Sequence, residues 1–391
     1  MSRNEKIVFS TLVLIAAVLW IGLGWIFYSS LWQVPLGPGL GLPNQSVSPL
    51  AVDVKSTQTV SPSDELQFSP VTSVPTSAHS SSSPKPALCG GPQSMSLLAI
   101  GSDTRAQSYL YGLADVIRYI HIDFVTPRIN VLEFPRDLWV EIPDIEAHYD
   151  ITHGKLNQAY LYGNPGMGYY QGPGQGPGLL ARTLDLNFGA RPDHYIAANM
   201  QTFVRLIDAV GGIDINLPYS VDARKSDQKD RKDLYFEAGD HHLTGEQALM
   251  LGRIREYSVF GRADQQNRIM CALRNTITSP TMLPKLPEII NSFSGAIQTD
   301  LSPQQFSQLA CLVSKLQPGN ITFTTFPREL LTEARIYDST MKKDLYVFQA
   351  DFNTLKLFVT GFDLGVWPEL TPIAATSATP RPRGEGQFNC P

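Results

Sequence analysis

The chain has 391 residues, 43% of them hydrophobic and 17% charged, with a formal net charge of −5 at pH 7. That length accommodates one large or two ordinary domains with a real core. The acidic balance excludes a general nucleic-acid binder, which needs a surplus of Lys and Arg over a surface, so any anion site must be local.

Residues 1–6 form a short polar start that includes Arg3 and Lys6. From Ile7 to Trp32 no charged residue occurs, and a run of about 20 apolar residues is enough to cross a bilayer as a helix. The two cations ahead of it predict a cytoplasmic amino terminus with everything after Trp32 outside, and Trp20, Trp25, Tyr28 and Trp32 suit interfacial anchoring. A cleaved signal peptide is the competing reading; the apolar run is longer than a signal core and no Ala-x-Ala site follows it. Residues 33–94, as in SPVTSVPTSAHSSSSPKP, have too few large apolar side chains to repay ordering and read as a Pro/Ser-rich tether.

The folded region is expected over 95–370. MSLLAI, closed by Gly101, and then DVIRYIHIDF and INVLEF, parted by the turn Thr126-Pro127-Arg128, read as strands. Helical periodicity is predicted at 178–188, 200–210, 244–255 and 262–278, with strands at 194–198 and 213–217. Gly211-Gly212 supplies a helix stop, and Thr244 with Gln247 resembles a capping box. The alternation predicts an α/β domain with a mostly mixed central sheet flanked by helices. GNPGMGYYQGPGQGPG, 163–178, lacks the Lys and Ser/Thr of a P-loop and reads as a mobile surface loop. A further strand is expected after about residue 280, and the end, 371–391, reads as loose.

Cys89, Cys271, Cys311 and Cys390 are an even number in a chain assigned to an oxidising compartment, so two disulfides are expected. Of three pairings, Cys89 with Cys390 and Cys271 with Cys311 is favoured, because the first pair flanks the domain and the second lies in helix-like segments. The spacing excludes a zinc site, since no C-x-x-C or His cluster accompanies them.

Asp103 follows the first apolar run and Asp115 opens the second, so a strand-loop-strand unit can bring both carboxylates to one sheet end, where two acids suit a hard cation such as Mg²⁺. The plain reading of each is a turn former. Arg136 follows INVLEF, where Pro135 stops the ladder; a solvated Arg is its plain alternative. In GRIREYSVFGR, Arg253 and Arg255 are two apart and cannot share one helix face. They converge only if the helix ends there. With Arg262 opening the next helix, they could clamp a diphosphate.

The order of GSD-TR, a second Asp twelve residues on, F-PRD, G-K-L-N-x-A-Y, D-A-x-GG-I, L-x-GEQAL, R-x-R and FGR resembles the LytR-CpsA-Psr family over roughly residues 95–280. The resemblance implies an α-β-α layered, membrane-anchored, extracytoplasmic phosphotransferase that uses Mg²⁺ to move a glycopolymer from a polyprenyl pyrophosphate onto peptidoglycan or another envelope acceptor. It makes Asp103 and Asp115 the metal carboxylates and places Arg136, Arg253, Arg255, Arg262 and Gln266 around the pyrophosphate. It also implies an apolar pocket for the lipid, for which Phe203, Leu206, Ile207, Ile269 and Leu273 are candidates; ordinary core packing explains the same residues. The chain departs from the pattern at Leu113, where the family usually has Arg, at Gln265, where a second Arg often follows, and at Val259, where an Asp is common. Those departures keep open a non-catalytic lipid-pyrophosphate binding or scaffold protein, or an envelope pyrophosphatase. A DNA-binding regulator fits neither the membrane span nor the charge.

Overall fold

In the computed structural model, residues 3–28, 32–43, 85–104, 109–222, 224, 230–254, 259–285, 288–289, 292–293, 295–317, 319–338, 340–368 and 388–390 are described. Strand β1 (Ser94–Ser102) buries Leu97 and Leu98, neighbours that point to opposite faces of a sheet. A strand apolar on both faces must be covered on both faces, which places β1 in the middle of the fold.

It pairs antiparallel with β2 (Ala114–Asp123) and parallel with β4 (His194–Asn199). β3 (Arg128–Glu133) returns antiparallel beside β2, after a turn in which Asp123 Oδ1 accepts from the amides of Val125 and Thr126. With β5 (Gln298–Thr299), β6 (Ile321–Thr325) and β7 (Phe388–Asn389) the sheet has seven strands in the order β5-β4-β1-β2-β3-β6-β7. The β1/β4 and β3/β6 pairs are parallel and the others antiparallel, the expected mixed sheet.

One face carries Leu98, Ile100, Ile117, Tyr119 and Leu132 and is covered by α2 (Leu156–Gly163), α3 (Gln175–Phe188) and α8 (Phe352–Asp363). The other carries Met95, Leu97, Ile122 and Val131 and meets α7 (Pro303–Lys315) and α6 (Val259–Ile277). A separate apolar cluster joins α4 (Met200–Ala209), α5 (Gly245–Arg253) and α6 to the hairpin of Ile213–Leu217 with Gly239–Leu243. Thr244 and Gln247 make the expected capping box, and Gly211 and Gly212 take positive φ where α4 stops.

The cysteine pairing differs from the expectation. The bonds join Cys89 to Cys311 and Cys271 to Cys390, with Cα atoms 5.9 and 5.5 Å apart. Cys89 lies in the turn Leu88–Gly90, whose Gly90 carbonyl accepts from Gln308 Nε2 on α7. Cys390 follows β7, which pairs with β6 beside α6. Chain order said which cysteines flank the domain; sheet order decides which are neighbours. The end of the chain is therefore tied at Phe388–Cys390, against the expectation of a loose tail over 371–391.

Two further segments depart from expectation. The Gly/Pro stretch 163–178 is packed rather than a loose surface loop: a Cβ on Gly178 would lie 1.9 Å from the Pro173 carbonyl oxygen, and one on Gly176 2.1 Å from Asn164 Oδ1. Glycine there permits close backbone approach. The start of the expected tether is also packed, since Leu40 is buried in the main core. Residues Met1–Leu42 with Ala87–Pro391 form one unit and Pro43–Pro86 another.

The apolar amino-terminal stretch is a helix, α1 (Arg3–Phe27), with exposed side chains where they are described. No helix among the described residues is long and apolar enough to cross a membrane.

Candidate functional site

The first carboxylates stand where β1 and β2 part. One residue beyond the register pair Ser102↔Ala114, the Asp103 amide donates to the Leu113 carbonyl at 3.0 Å, and Asp103 Oδ1 accepts from the Leu113 amide at 2.7 Å. Asp115 lies two residues further, opposite a register shift between Gly101 and Ser102. A bulge of this kind re-aims the side chain at a strand end. Both acids thus leave the same end of the sheet.

Pro135 ends β3 and turns Arg136 toward that end. Its Nη1 donates to Asp115 Oδ1, and its Nε meets Asp137 Oδ2 at 3.3 Å. Arg262, in the first turn of α6 and buried, donates from Nη2 to the Asp115 backbone carbonyl at 3.3 Å. Asp115 therefore holds Arg136 by its carboxylate and Arg262 by its carbonyl, and both arginines line one recess with Glu133, Asp137, Thr325 and Phe348. Two guanidinium groups in one partly buried recess, balanced there by the Glu133 and Asp137 carboxylates, could meet an anion with several oxygens.

The structure adds residues to which the sequence assigned no role. Lys155 Nζ reaches Asp137 Oδ1 at 2.8 Å. Burial raises the Asp137 carboxyl, but the Lys155 hydrogen bond and the charges of Arg136 and Lys155 outweigh it, leaving the group below the ordinary carboxylate range. Arg118, buried on β2, donates from Nη2 to Glu133 Oε2 at 3.1 Å and to Asn267 Oδ1 at 2.8 Å, which ties α6 to the sheet. Asp137 and Lys155 stand inside FPRD and GKLN, so the motifs signalled them; Arg118 was legible only as a charge among buried β2 residues.

Arg253 is exposed and is the last residue of α5, and Ile254 continues the chain in extended conformation. This is the helix end that convergence of Arg253 with its neighbour requires; Arg255 lies outside the described residues. Gln266 Nε2 donates to the Gly252 carbonyl at 3.0 Å, fastening the end of α5 to α6. Gln266 thus acts as a cap on α5, and its Oε1 is buried with no hydrogen-bond partner. Gln265 is buried, and its Oε1 has no partner either. Leu113 contributes its backbone to Asp103, and the Val259 side chain lies outside the described residues.

All five candidate lipid-pocket residues fall in one cluster: Ile207, Ile269 and Leu273 are buried in it, and Phe203 and Leu206 pack against it partly buried. Among the described residues no group of three or more His, Cys, Asp or Glu is placed to hold a metal ion. Asp103 and Asp115 fit a magnesium ion only as a partial oxygen set, the remainder coming from water and phosphate oxygens.

The layers define an α/β/α domain in which two arginines gather at one end of the sheet. The profile of the LytR_cpsA_psr family matches residues 58–358, and the chain belongs to that family. It is 30% identical over 212 residues to the polyisoprenyl-teichoic acid–peptidoglycan teichoic acid transferase TagV of Bacillus subtilis (strain 168), covering 53% of this chain and 49% of TagV. It is 26% identical over 211 residues to the regulatory protein MsrR of Staphylococcus aureus (strain COL), covering 53% of this chain and 56% of MsrR. The chain thus spans about half the length of these curated relatives. The crystal structure of B. subtilis TagV superposes with a TM-score of 0.52 at 22% identity, covering 70% of this chain and 98% of that one, a likeness of fold.

Proposed function

We propose that the protein is a membrane-anchored, extracytoplasmic phosphotransferase that moves a glycopolymer from a polyprenyl pyrophosphate lipid onto peptidoglycan or another envelope acceptor. The observation that carries this reading is the joint hold of Asp115 on Arg136 and Arg262. Phosphoryl transfer is mostly positioning and charge neutralisation, which pre-oriented guanidinium groups supply without a protein nucleophile. An acceptor hydroxyl forms a bond to the phosphorus that carries the glycopolymer. The bond from that phosphorus to the bridging oxygen breaks, polyprenyl monophosphate leaves, and the hydroxyl proton passes to solvent.

In this reading Arg136, Arg262 and Arg253, joined by Arg255, hold the pyrophosphate, while Phe203, Leu206, Ile207, Ile269 and Leu273 line the lipid's path. Asp103 and Asp115 hold Mg²⁺, which supplies further neutralisation of the diphosphate when bound. The uncharged run Ile7–Trp32 is the anchor, with Arg3 and Lys6 inside. TagV, named for transfer of teichoic acid to peptidoglycan, supports the acceptor and donor classes.

One feature favours the scaffold alternative: at the position of a family Arg, Gln265 buries an uncharged amide. The two readings part in one assay. Purified protein with Mg²⁺ and a polyprenyl-pyrophosphate-linked saccharide is expected to release polyprenyl phosphate, and Arg253→Ala with Arg255→Ala to lose this while keeping its melting curve. Binding without release in the wild type would leave only the scaffold; unchanged release in the double variant would remove the clamp.

A further inference from the structure

The stretch PLGPGLGLP, 35–43, contains three glycines between prolines and leucines and reads as the start of a stalk. It is docked instead. The Leu36 amide donates to the Leu301 carbonyl at 3.2 Å. Gly37 lies against β5, where a Cβ would stand 2.6 Å from the Thr299 carbonyl oxygen. Leu40 is 4% exposed within the main core. Gly41, at φ +62°, lies against Pro173, which a Cβ would approach to 2.6 Å. Gly37 and Gly41 thus fill spaces that no larger residue can occupy, and φ near +60° suits glycine at low cost.

The chain is docked again when it returns. The Leu88 amide donates to the Phe124 carbonyl at 2.9 Å, Gly91 lies against the Phe124 ring, and Cys89 is bonded to Cys311. The chain is therefore held to the same domain at Leu36–Gly41 and again at Leu88–Gly91. A segment anchored in one body at both ends cannot set the distance between that body and anything else.

We infer that residues 36–42 are a strap that seats the domain on a lipid surface, so that the length of the Pro/Ser-rich segment does not set the domain's distance from the membrane. This rests on the membrane-anchor reading above. Leu36 stands nine positions after Phe27, the end of α1, a reach of roughly 30 Å at full extension. A stalk of the whole 33–94 stretch would reach roughly 200 Å on the same scale. The strap packs on β5 through Gly37 and on Pro173 through Gly41. Val34 and Leu36, 48% and 55% exposed, lie in sequence between α1 and the buried Leu40. The arrangement keeps the arginine site within reach of a substrate whose diphosphate stays at headgroup level.

The test uses the full chain in phospholipid vesicles, with a dye on Lys343→Cys and acceptor dyes on the headgroups. Alkaline carbonate extraction comes first: a chain that washes off refutes the membrane anchor and with it the strap, whereas a retained chain isolates the strap for the second measurement. Three lengths are compared: wild type, a chain lacking residues 50–69, and one with about 40 Gly/Ser residues inserted after Asp64, long enough to let a free domain drift by tens of ångströms. The expected result is the same transfer efficiency in all three. Efficiency that falls as the segment lengthens would overturn the strap. In the long-insert chain, Leu40→Asp with Gly41→Val is expected to lower the efficiency. If it does not, and the domain's melting transition is retained, these residues do not hold the domain down.

Discussion

At the scale of single residues, the candidate site is a set of charges that hold one another before any ligand arrives. Asp115 engages two arginines and Asp137 two cations, so neither Arg136 nor Arg262 has to be ordered at the moment of binding. Asp137 gives a pH prediction. Its folded pKa is depressed, so its contribution to stability is complete above the unfolded carboxylate value of about 3.9 and is lost as pH falls through the lower folded value. Urea unfolding is expected to find Asp137→Asn less stable than wild type at pH 7, with the gap narrowing below about pH 4; a gap that is constant with pH would contradict the assignment. Arg136 was legible because a proline that stops a strand exposes the next side chain. Lys155 was signalled by its place in GKLN, but its contact with Asp137 was not, since the two lie 18 positions apart and only the fold brings them together.

At the scale of elements, α6 decides the geometry of the recess, because it carries Arg262 and Ala263 and is fastened to the sheet through Asn267. Arg118 is the fastener. It is 5% exposed, and removing one partner of a buried ion pair strands the other, at a cost of about 3 to 5 kcal/mol. Arg118→Met is therefore expected to lower the stability measured by denaturant unfolding by that amount, and adding Glu133→Leu to recover much of it. If the double variant is as unstable as the single one, the loss lies in packing against the Phe323 ring, over which the guanidinium sits 5.4 Å from the centroid. The helices and strands themselves were legible: their apolar periods and the Thr244–Gln247 cap are local signals. The packing of 163–178 was not, because a glycine run reads the same whether it is solvated or pressed against another backbone.

At the scale of the whole molecule, two covalent links close the fold: one pins the Leu88–Gly90 turn to α7, and the other holds the last strand against α6. The second closes a long loop, and such a link contributes about 2 to 5 kcal/mol. Cys271→Ser with Cys390→Ser is expected to lower the melting temperature and to make Phe388 accessible to protease, while Cys89 and Cys311 stay oxidised. Loss of the Cys89–Cys311 bond in that variant would show that the two are not independent, and peptide mapping reads it directly. By itself the sequence determined what depends on neighbours along the chain: the apolar run, the strand and helix periods, the mixed α/β class, and the motif order that places the chain in its family. Only the tertiary structure decided which cysteines meet, that Leu40 belongs to the core and that Asp115 holds two arginines. The arginine and cysteine contacts join residues 21 to 222 positions apart, and local pattern carries no information about which distant surfaces a mixed sheet brings together.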